Sequence, residues 1–453
     1  MIRRLLPVGD RTWHRRVWRL AWPMVVSNLS VPLLGAVDTA VIGHLPEPYF
    51  LGAVAVGALI FNTLYFGCNF LRMGTTGLTA QAFGARDFDE ARATLARALL
   101  IALALAAVLL VLQGPIGWLA FYLVDPSEAV AGEGTRYFFI RVWGAPATLA
   151  NIALVGWFIG MQNTRAALAL LLTVNGINIV LDLVLVVVFD LAVAGVAWAT
   201  VAADYAGLTL GLAVTARLAG RHGGRWHARR VLDAAAMRRF LGINRDIFLR
   251  TLFVITAFAL FTTLSARQGD VVLAANAVLL NFVIFLNFAF DGFAFAAEAL
   301  VGNALGARRR DDLNRAIRAC FQWCFALALL TVLVYGLAGV PIIHVLTDIE
   351  DVRDMTYDFL PWLIALPLVA VWGIFFDGVF TGTTRTAHMR NNMMLAFAVF
   401  VPCAWLLREP MGNHGLWLAM TLLYVVRGAG LGAIYVRIQR RGGFLPTGEG
   451  RDS

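Results

Sequence analysis

Long apolar segments separated by short charged loops recur along all 453 residues of the chain. A helix of about 20 apolar residues is long enough to cross the hydrocarbon core of a bilayer. The pattern therefore predicts an all-α polytopic membrane protein. The twelve predicted transmembrane helices lie at 17-44, 51-82, 92-113, 132-160, 166-188, 191-217, 239-266, 271-303, 312-339, 354-382, 388-407 and 413-437.

The fifth predicted helix carries polar residues inside an apolar run, TVNGINIVLDLVLVVV, which extends from Thr173 to Val188. Asn175, Asn178 and Asp182 are spaced i, i+3 and i+7, so they share one helical face. A carboxylate inside a membrane is unfavourable unless it faces a partner or a water-filled cavity, and it commonly marks a functional site. The alternative is that Asp182 pairs with a nearby polar group for packing alone.

Further polar residues are predicted at the depth of Asp182. Counted from the predicted outer ends of their helices, Asp38 lies about 7 residues deep, Asp182 about 6 and Thr200 about 9, or roughly 9 to 14 Å at about 1.5 Å per residue. With Asn178 they would form an oxygen-rich set that suits a hard cation. Two neighbouring carboxyl groups could instead share protons.

The chain contains an internal repeat at a constant offset. The segment QAFGARDFDEARATLARA from Gln81 aligns with NALGARRRDDLNRAIRAC from Asn303, so the offset is 303 − 81 = 222 residues. The same offset relates FIGMQNTR to FTGTTRTA through Gly160 and Gly382. Two similar halves in one orientation are typical of transporters built from parallel repeats. The repeat predicts two pseudo-symmetric six-helix lobes joined by a basic cytoplasmic linker, with boundaries at 1-217, 218-238 and 239-453.

The polar cluster has no counterpart in the second half of the chain. Adding the offset to each of its positions gives only apolar residues, so the cation site is assigned to the first lobe. The corresponding pairs are Asp38 with Leu260, Asn178 with Phe400, Asp182 with Ala404, and Thr200 with Leu422.

Composition and charge agree with this interpretation. The chain is 60% hydrophobic and 14% charged, with a mean hydropathy of +0.74, which leaves too little polar surface for a soluble domain of this size. Every basic residue is an arginine. Arg-rich loops alternate with acidic loops and share one side with the Arg-rich N-terminus, so both termini are expected in the cytoplasm. The net charge of +9 is then a topology signal, and no nucleic-acid partner is expected.

Catalytic motifs are absent from the sequence. It contains no H-E-x-x-H, no G-x-S-x-G and no P-loop, so we expect neither enzyme activity nor a bound cofactor. The four cysteines lie in apolar runs, which indicates buried free thiols rather than disulfides or metal ligands. They are Cys68, Cys320, Cys324 and Cys403.

Three segments resemble the multidrug and toxic compound extrusion (MATE) family, and specifically its DinF-type branch. They are FLRMGTTGLTAQAFGA at 70-85, NRDIFLRTL at 244-252, and LDLVLV after Asn178. The resemblance covers essentially the whole chain. It implies a V-shaped pair of six-helix lobes in the plasma (inner) membrane that exports organic, often cationic compounds in exchange for H+ or Na+.

The resemblance also implies a coupling site. In DinF-type members an Asp in the first helix, an Asn/Asp pair in the fifth and a Thr in the sixth form this site. These residues fall on Asp38, Asn178, Asp182 and Thr200. The same four residues are the candidate ligands if the coupling ion is Na+, although we favour H+.

Other intramembrane polar residues have two interpretations. Asp204, one turn beyond Thr200, could extend the first-lobe network, as could Asn175. Residues of the eighth and tenth helices could line an inward-facing vestibule for cationic substrates, or could form hydrogen bonds between helices. These are Asn287, Asp291, Glu298 and Asp377.

Two functions remain open at this point. The first is a monomeric antiporter that acts on small drug-like molecules within the lipid bilayer. The alternative is a lipid-linked oligosaccharide flippase of the same superfamily. A flippase would favour a basic cleft for pyrophosphate, whereas the intramembrane charges recognised from the sequence are mostly acidic.

The predicted topology can be tested by labelling with a membrane-impermeant maleimide in intact cells. In a variant without the four native cysteines, we expect Arg229→Cys, in the linker, to stay unlabelled because it faces the cytoplasm. Asp348→Cys, in an acidic loop, is the control and should be labelled. Labelling of the linker position from outside would contradict the twelve-helix count.

Overall fold

The structure is a computed structural model that describes residues 11–42 and 47–445. The side chains at 29, 31–34, 36 and 38–41 of the first helix lie outside the described part. The helices of the first half are α1 (Arg11–Ile42), α2 (Pro48–Gly67), α3 (Phe70–Gly84), α4 (Phe88–Val111), α5 (Gln113–Val124), α6 (Glu128–Arg141), α7 (Ala145–Gly160), α8 (Thr164–Asp182) and α9 (Ala192–His222). A 3-10 turn at Val142–Gly144 joins α6 to α7, and a π-helix at Leu183–Val188 extends α8.

The second half consists of long helices. The short helix α10 (Ala228–Val231) precedes them within the predicted linker. The others are α11 (Ala234–Ala266), α12 (Asp270–Gly306), α13 (Arg310–Leu346), α14 (Glu350–Gly382), α15 (Thr386–Leu406) and α16 (Arg408–Arg440).

The all-α membrane fold predicted from the sequence is confirmed. Among the described residues, ten helical segments are long and apolar enough to cross a bilayer. The two remaining predicted spans fall on α1 and α15, which are helical as well. The predicted span 51-82 is interrupted, because Cys68 and Asn69 separate α2 from α3. The V-shaped arrangement of the lobes stays a prediction.

The chain forms two compact units. The first unit extends from Val26 to Asn244. The second unit contains the described residues up to Val25 together with those from Arg245 onward. The predicted lobe boundaries at 1-217, 218-238 and 239-453 stay a prediction, and the units differ from them because α1 and α11 each contribute to both units.

Aromatic packing places the first part of α1 within the second unit. The ring of Trp18 makes edge-to-face contacts with Trp323, at 5.0 Å between centroids, and with Phe293, at 5.6 Å. Such pairs stabilise beyond the area that they bury, by about 0.5–1.5 kcal/mol each. Gly292 lies against this segment, since a Cβ there would come within 3.1 Å of the carbonyl oxygen of Ala21.

Two glycines let α7 approach α3 closely in the first unit. A Cβ at Gly156 would lie 2.4 Å from the carbonyl oxygen of Arg72. A Cβ at Gly160 would lie 2.8 Å from the carbonyl oxygen of Thr76. A larger residue at either position would force the facing backbone to move, so the close approach of the two helices depends on both glycines.

The second unit repeats the same approach between α14 and α12. A Cβ at Gly378 would lie 2.7 Å from the carbonyl oxygen of Ala294, and one at Gly382 would lie 2.6 Å from that of Glu298. All four positions follow from those of the first unit by the offset of 222. The pseudo-symmetry of the two halves is therefore present in their closest helix contacts.

The turns that follow these helices repeat as well. Arg86 and Arg308 have φ of 57° and 54°, and Gln162 and Thr384 have φ of 57° and 54°. Each pair is related by the offset of 222. A left-handed residue after a helix is a common way to end it, so the two halves end corresponding helices by the same local device.

The predicted linker is anchored to the start of α4. The Arg230 guanidinium donates to Asp87 at 2.7 Å, and this hydrogen bond raises the pKa of Arg230. The buried Arg97 donates to Glu90 at 2.6 Å and to the carbonyl oxygen of Val231 at 3.1 Å. The linker is therefore held by residues of the repeated GARDFDEARATLARA motif.

The close approach of α3 and α7 predicts that Gly156→Ala destabilises the protein. The added methyl group must displace the Arg72 backbone, so we expect a loss of about 1–3 kcal/mol, as for other overpacked cores. Thermal unfolding in detergent would measure it. Gly176→Ala on α8 is the matched control, because nothing lies within 4 Å of its Cβ position. Equal midpoints for the two variants would contradict the close approach.

Candidate coupling site

The helix α8 places its polar residues on one face, as the spacing predicts. Asn178 and Asp182 are 1% and 0% exposed, and Asn175 is half-buried. The Asn175 side-chain amide donates to Ser30 Oγ at 2.7 Å, which connects α8 to α1. This polar face is therefore turned toward neighbouring helices of the first unit.

Asn178 lies between Asp182 and Thr200 and connects α8 to α9. With its amide nitrogen toward Asp182, it donates to Oδ2 at 3.1 Å, and its oxygen accepts from Thr200 Oγ1 at 3.1 Å. In the opposite orientation the nitrogen donates to Thr200 Oγ1 at 3.1 Å, and the oxygen faces the carboxyl group. An ionised Asp182 can only accept, so it selects the first orientation. A protonated Asp182 can donate to the amide oxygen in the second.

The backbone changes at this site. The helix α8 ends at Asp182 and continues as a π-helix over Leu183–Val188. Such segments are rare and are frequently found at functional sites. The Thr200 hydroxyl also contacts the carbonyl oxygen of Val196 at 2.8 Å, one turn earlier in α9.

Asp38 belongs to α1, but its side chain lies outside the described residues. Its predicted convergence with Asn178, Asp182 and Thr200 therefore stays a prediction. The structure does bring the other three residues of the candidate site together.

Asp204 forms a buried ion pair next to this site. Its carboxylate lies 3.0 Å from the Arg141 guanidinium and accepts from Thr148 Oγ1 at 2.6 Å. The guanidinium also lies over the rings of Phe61 and Tyr65, at 5.5 Å from each centroid. Asp204 therefore has a cationic partner, Arg141, that sequence analysis missed.

Gly144 makes room for this pair. A Cβ at Gly144 would lie 2.4 Å from Arg141 Nη1 and 3.4 Å from Asp204 Oδ2. The glycine lies in the 3-10 turn between α6 and α7. Helix packing and a local turn thus combine to place a charged pair inside the first unit.

In the second unit, Asp377 is held by two arginines. Arg250 from α11 and Arg427 from α16 both donate to Asp377 Oδ2. Asp291 is close enough to interact electrostatically with both guanidinium groups. This geometry agrees with the interpretation in which Asp377 joins helices, and sequence analysis missed both of its partners.

The remaining candidates lie on α12. Asn287 is half-buried and lies near Tyr424 of α16. Glu298 is 2% exposed and lies where α14 approaches most closely, at Gly382. Both residues belong to the second compact unit, whereas the three-residue cluster belongs to the first.

The MatE family model matches residues 23–184 and 247–406. The chain belongs to the MATE family. DNA damage-inducible protein F of Escherichia coli is 44% identical over 429 residues, covering 94% of this chain and 93% of the relative. A probable multidrug resistance protein NorM of Caulobacter vibrioides is 27% identical, covering 87% and 84%. These findings confirm the predicted resemblance to MATE proteins and to the DinF type.

Solved structures of MATE proteins share the fold. A MOP superfamily transporter from Pyrococcus furiosus matches with a TM-score of 0.82 at 19% identity, covering 94% of this chain and 96% of that one. An outward-facing multidrug resistance MATE transporter matches with a TM-score of 0.82 at 18% identity, with the same coverage. This MATE chain is thus a multi-pass integral membrane transporter and not an enzyme.

The buried pair of Arg141 and Asp204 generates a stability prediction. We expect Arg141→Leu to destabilise the protein by about 3–5 kcal/mol, because it leaves Asp204 buried without a counter-ion. The double variant Arg141→Leu with Asp204→Leu should recover part of this loss. Thermal unfolding in detergent would measure both.

Arg136→Leu is the matched control on α6, since Arg136 is 58% exposed in its side chain and should change stability by less than about 0.5 kcal/mol. If the double variant were as unstable as the sum of its single variants, the two residues would not act as a pair.

Proposed function

We propose that this MATE protein is a secondary active multidrug exporter, which moves organic, often cationic compounds in antiport with H+ or Na+. The observation that carries the proposal is the buried chain of hydrogen bonds from Asp182 through Asn178 to Thr200. It joins an ionisable group on α8 to α9 inside a membrane transporter. The predicted coupling site is completed by Asp38.

Helix geometry supports the inclusion of Asp38. Asn175 contacts Ser30, which sets the level of α8 against α1. Asp182 lies 182 − 175 = 7 residues further along α8, and Asp38 lies 38 − 30 = 8 residues further along α1. As the first and fifth spans, the two helices run in the same direction in the predicted topology. At about 1.5 Å per residue, both acids then lie roughly 10–12 Å beyond the Asn175 contact.

The Asn178 amide offers a way to transmit proton occupancy. Protonation of Asp182 allows the amide to turn, and the group facing Thr200 then changes from an acceptor to a donor. With the amide nitrogen toward Thr200, the hydroxyl accepts from Asn178 and is free to donate to the carbonyl oxygen of Val196, so a change on α8 is communicated to the hydrogen bonding of α9. We therefore favour H+ as the coupling ion. The same oxygens could act as ligands for Na+, which prefers oxygen donors.

Antiport requires only that the cation and the drug stabilise different states of the transporter. A differential affinity of a few kcal/mol between the two states is sufficient to couple them.

Relatives named as probable multidrug resistance proteins support drug-like substrates for this chain. We place both termini in the cytoplasm on the evidence of the Arg-rich loops, and we propose that the protein acts as a monomer in the plasma (inner) membrane.

A lipid-linked oligosaccharide flippase is the second candidate. The buried Arg250 and Arg427 add the basic groups that a pyrophosphate would require. Both of them donate to Asp377, however, so their charge is already partly neutralised. The antiporter therefore remains the better supported function.

Transport by purified protein in vesicles tests the coupling site. With an imposed pH or Na+ gradient, we expect Asp182→Asn and Asp38→Asn each to abolish gradient-driven export, because each variant removes one of the two carboxyl groups that the proposed site uses to exchange a proton or to bind Na+. The comparison of the two gradients identifies the coupling ion.

Leu260→Asn is the control, since it lies at the position of Asp38 in the second half and should leave export largely intact. Wild-type export by both acid variants under either gradient would refute the site. Equal loss from Leu260→Asn would refute its assignment to the first half.

A further inference from the structure

A large groove runs between α14 and α16 in the second unit. Its volume is about 1160 Å³, which exceeds the roughly 300–1,000 Å³ of sites for small molecules. Leu368 of α14 and Val425 of α16 lie at one end, and three arginines of the α16 terminus lie at the other. The described lining between them consists of Trp372, aliphatic side chains and glycine. The groove is thus apolar along its length and basic at one end.

The length of the groove matches one leaflet of a membrane. From Val425 to Arg441 is 441 − 425 = 16 residues, or roughly 24 Å along a helix. One leaflet, including its headgroups, is about 20–22 Å thick. The arginines therefore lie at the level of headgroups when Val425 lies near the bilayer centre. In the predicted topology this is the cytoplasmic leaflet.

The basic end of the groove has no acidic counter-charge among the described residues. Arg437, Arg440 and Arg441 are exposed, and none of them forms an ion pair with an acid in the part of the chain that the structure describes. Three exposed cations at one membrane surface attract anionic headgroups. Basic pockets between membrane helices on the cytoplasmic side are known to bind anionic lipid headgroups.

We propose that this groove binds an anionic phospholipid of the cytoplasmic leaflet. The acyl chains lie along the apolar lining, with Trp372 of α14 on one side and Val425 of α16 on the other. The phosphate lies against Arg437, Arg440 and Arg441. A soluble phosphate would use only the basic end, and a neutral lipid only the apolar part. A phospholipid with a negative headgroup uses both. This site is separate from the candidate coupling site, which belongs to the other compact unit.

The test is titration of the purified full-length protein with dioleoylphosphatidylglycerol, followed by native mass spectrometry and by the thermal unfolding midpoint. Dioleoylphosphatidylcholine has the same acyl chains without the net charge, and glycerol 3-phosphate has the phosphate without the chains. We expect phosphatidylglycerol to bind and to raise the midpoint, and the other two to have much smaller effects. Equal binding of both lipids, or full stabilisation by glycerol 3-phosphate, would overturn the proposal.

Variants distinguish this groove from the rest of the membrane surface. We expect the triple variant Arg437→Gln, Arg440→Gln, Arg441→Gln to bind phosphatidylglycerol about 10- to 100-fold more weakly. The control for it is the triple variant Arg217→Gln, Arg221→Gln, Arg238→Gln, which removes three exposed arginines without described ion pairs near the ends of α9 and α11. Equal losses from the two triple variants would show that phosphatidylglycerol responds only to overall charge.

A second variant tests the apolar part without touching the arginines. Ala433 is exposed and lines the groove, so Ala433→Trp should fill it and weaken phosphatidylglycerol binding without disturbing buried packing. Ala213→Trp, at an exposed position of α9, should leave binding unchanged. Retention of wild-type affinity by Ala433→Trp would overturn the proposed site. Competition by a transported drug would also overturn it, since the groove would then belong to the transport path.

Discussion

Water is absent from the hydrocarbon core of a bilayer, so a buried charge needs a partner within the protein, and for two acids of this chain other helices supply it. Asp204 of α9 is held by Arg141 of α6, and Asp377 of α14 is held by arginines of α11 and α16. Neutralising either acid would leave a buried guanidinium without its counter-ion, which is strongly unfavourable. These ion pairs therefore tie particular helices together within each unit.

Asp182 has a different relationship with its neighbour. The amide of Asn178 is neutral and can present either a donor or an acceptor, so it can satisfy both states of the carboxyl group. The ion pairs of Asp204 and Asp377 are suited to holding helices in place. The pair of Asp182 and Asn178 is suited to a change of charge. The structure thus separates acids that stabilise the fold from the acid that we assign to coupling.

The fold could be predicted largely from local patterns, because both the membrane spans and the repeat can be recognised from consecutive residues. The polar face of α8 could be predicted for the same reason, since Asn178 and Asp182 lie one turn apart. The partners Arg141, Arg250 and Arg427 could not, because pairing depends on which distant helices pack together. An arginine inside an apolar segment itself indicates a buried partner or a functional site. The positive-inside pattern, however, explains only the arginines of the loops. The side chain of Asp38 remains a sequence-based assignment.

The π-helix after Asp182 also sets the spacing between α8 and α9, the two helices that carry the described residues of the site. Only Phe189, Asp190 and Leu191 separate its end from Ala192, and the Leu191 amide donates back to the carbonyl oxygen of Leu185 at 3.0 Å. The connection is therefore short and hydrogen-bonded, and its number of residues fixes the rotation of α9 about its own axis relative to α8. Insertion or deletion of one residue here would turn a helix by about 100° and shift it by about 1.5 Å, which would carry Thr200 away from Asn178. The number of residues in this connection is therefore part of the geometry that keeps Thr200 next to Asn178.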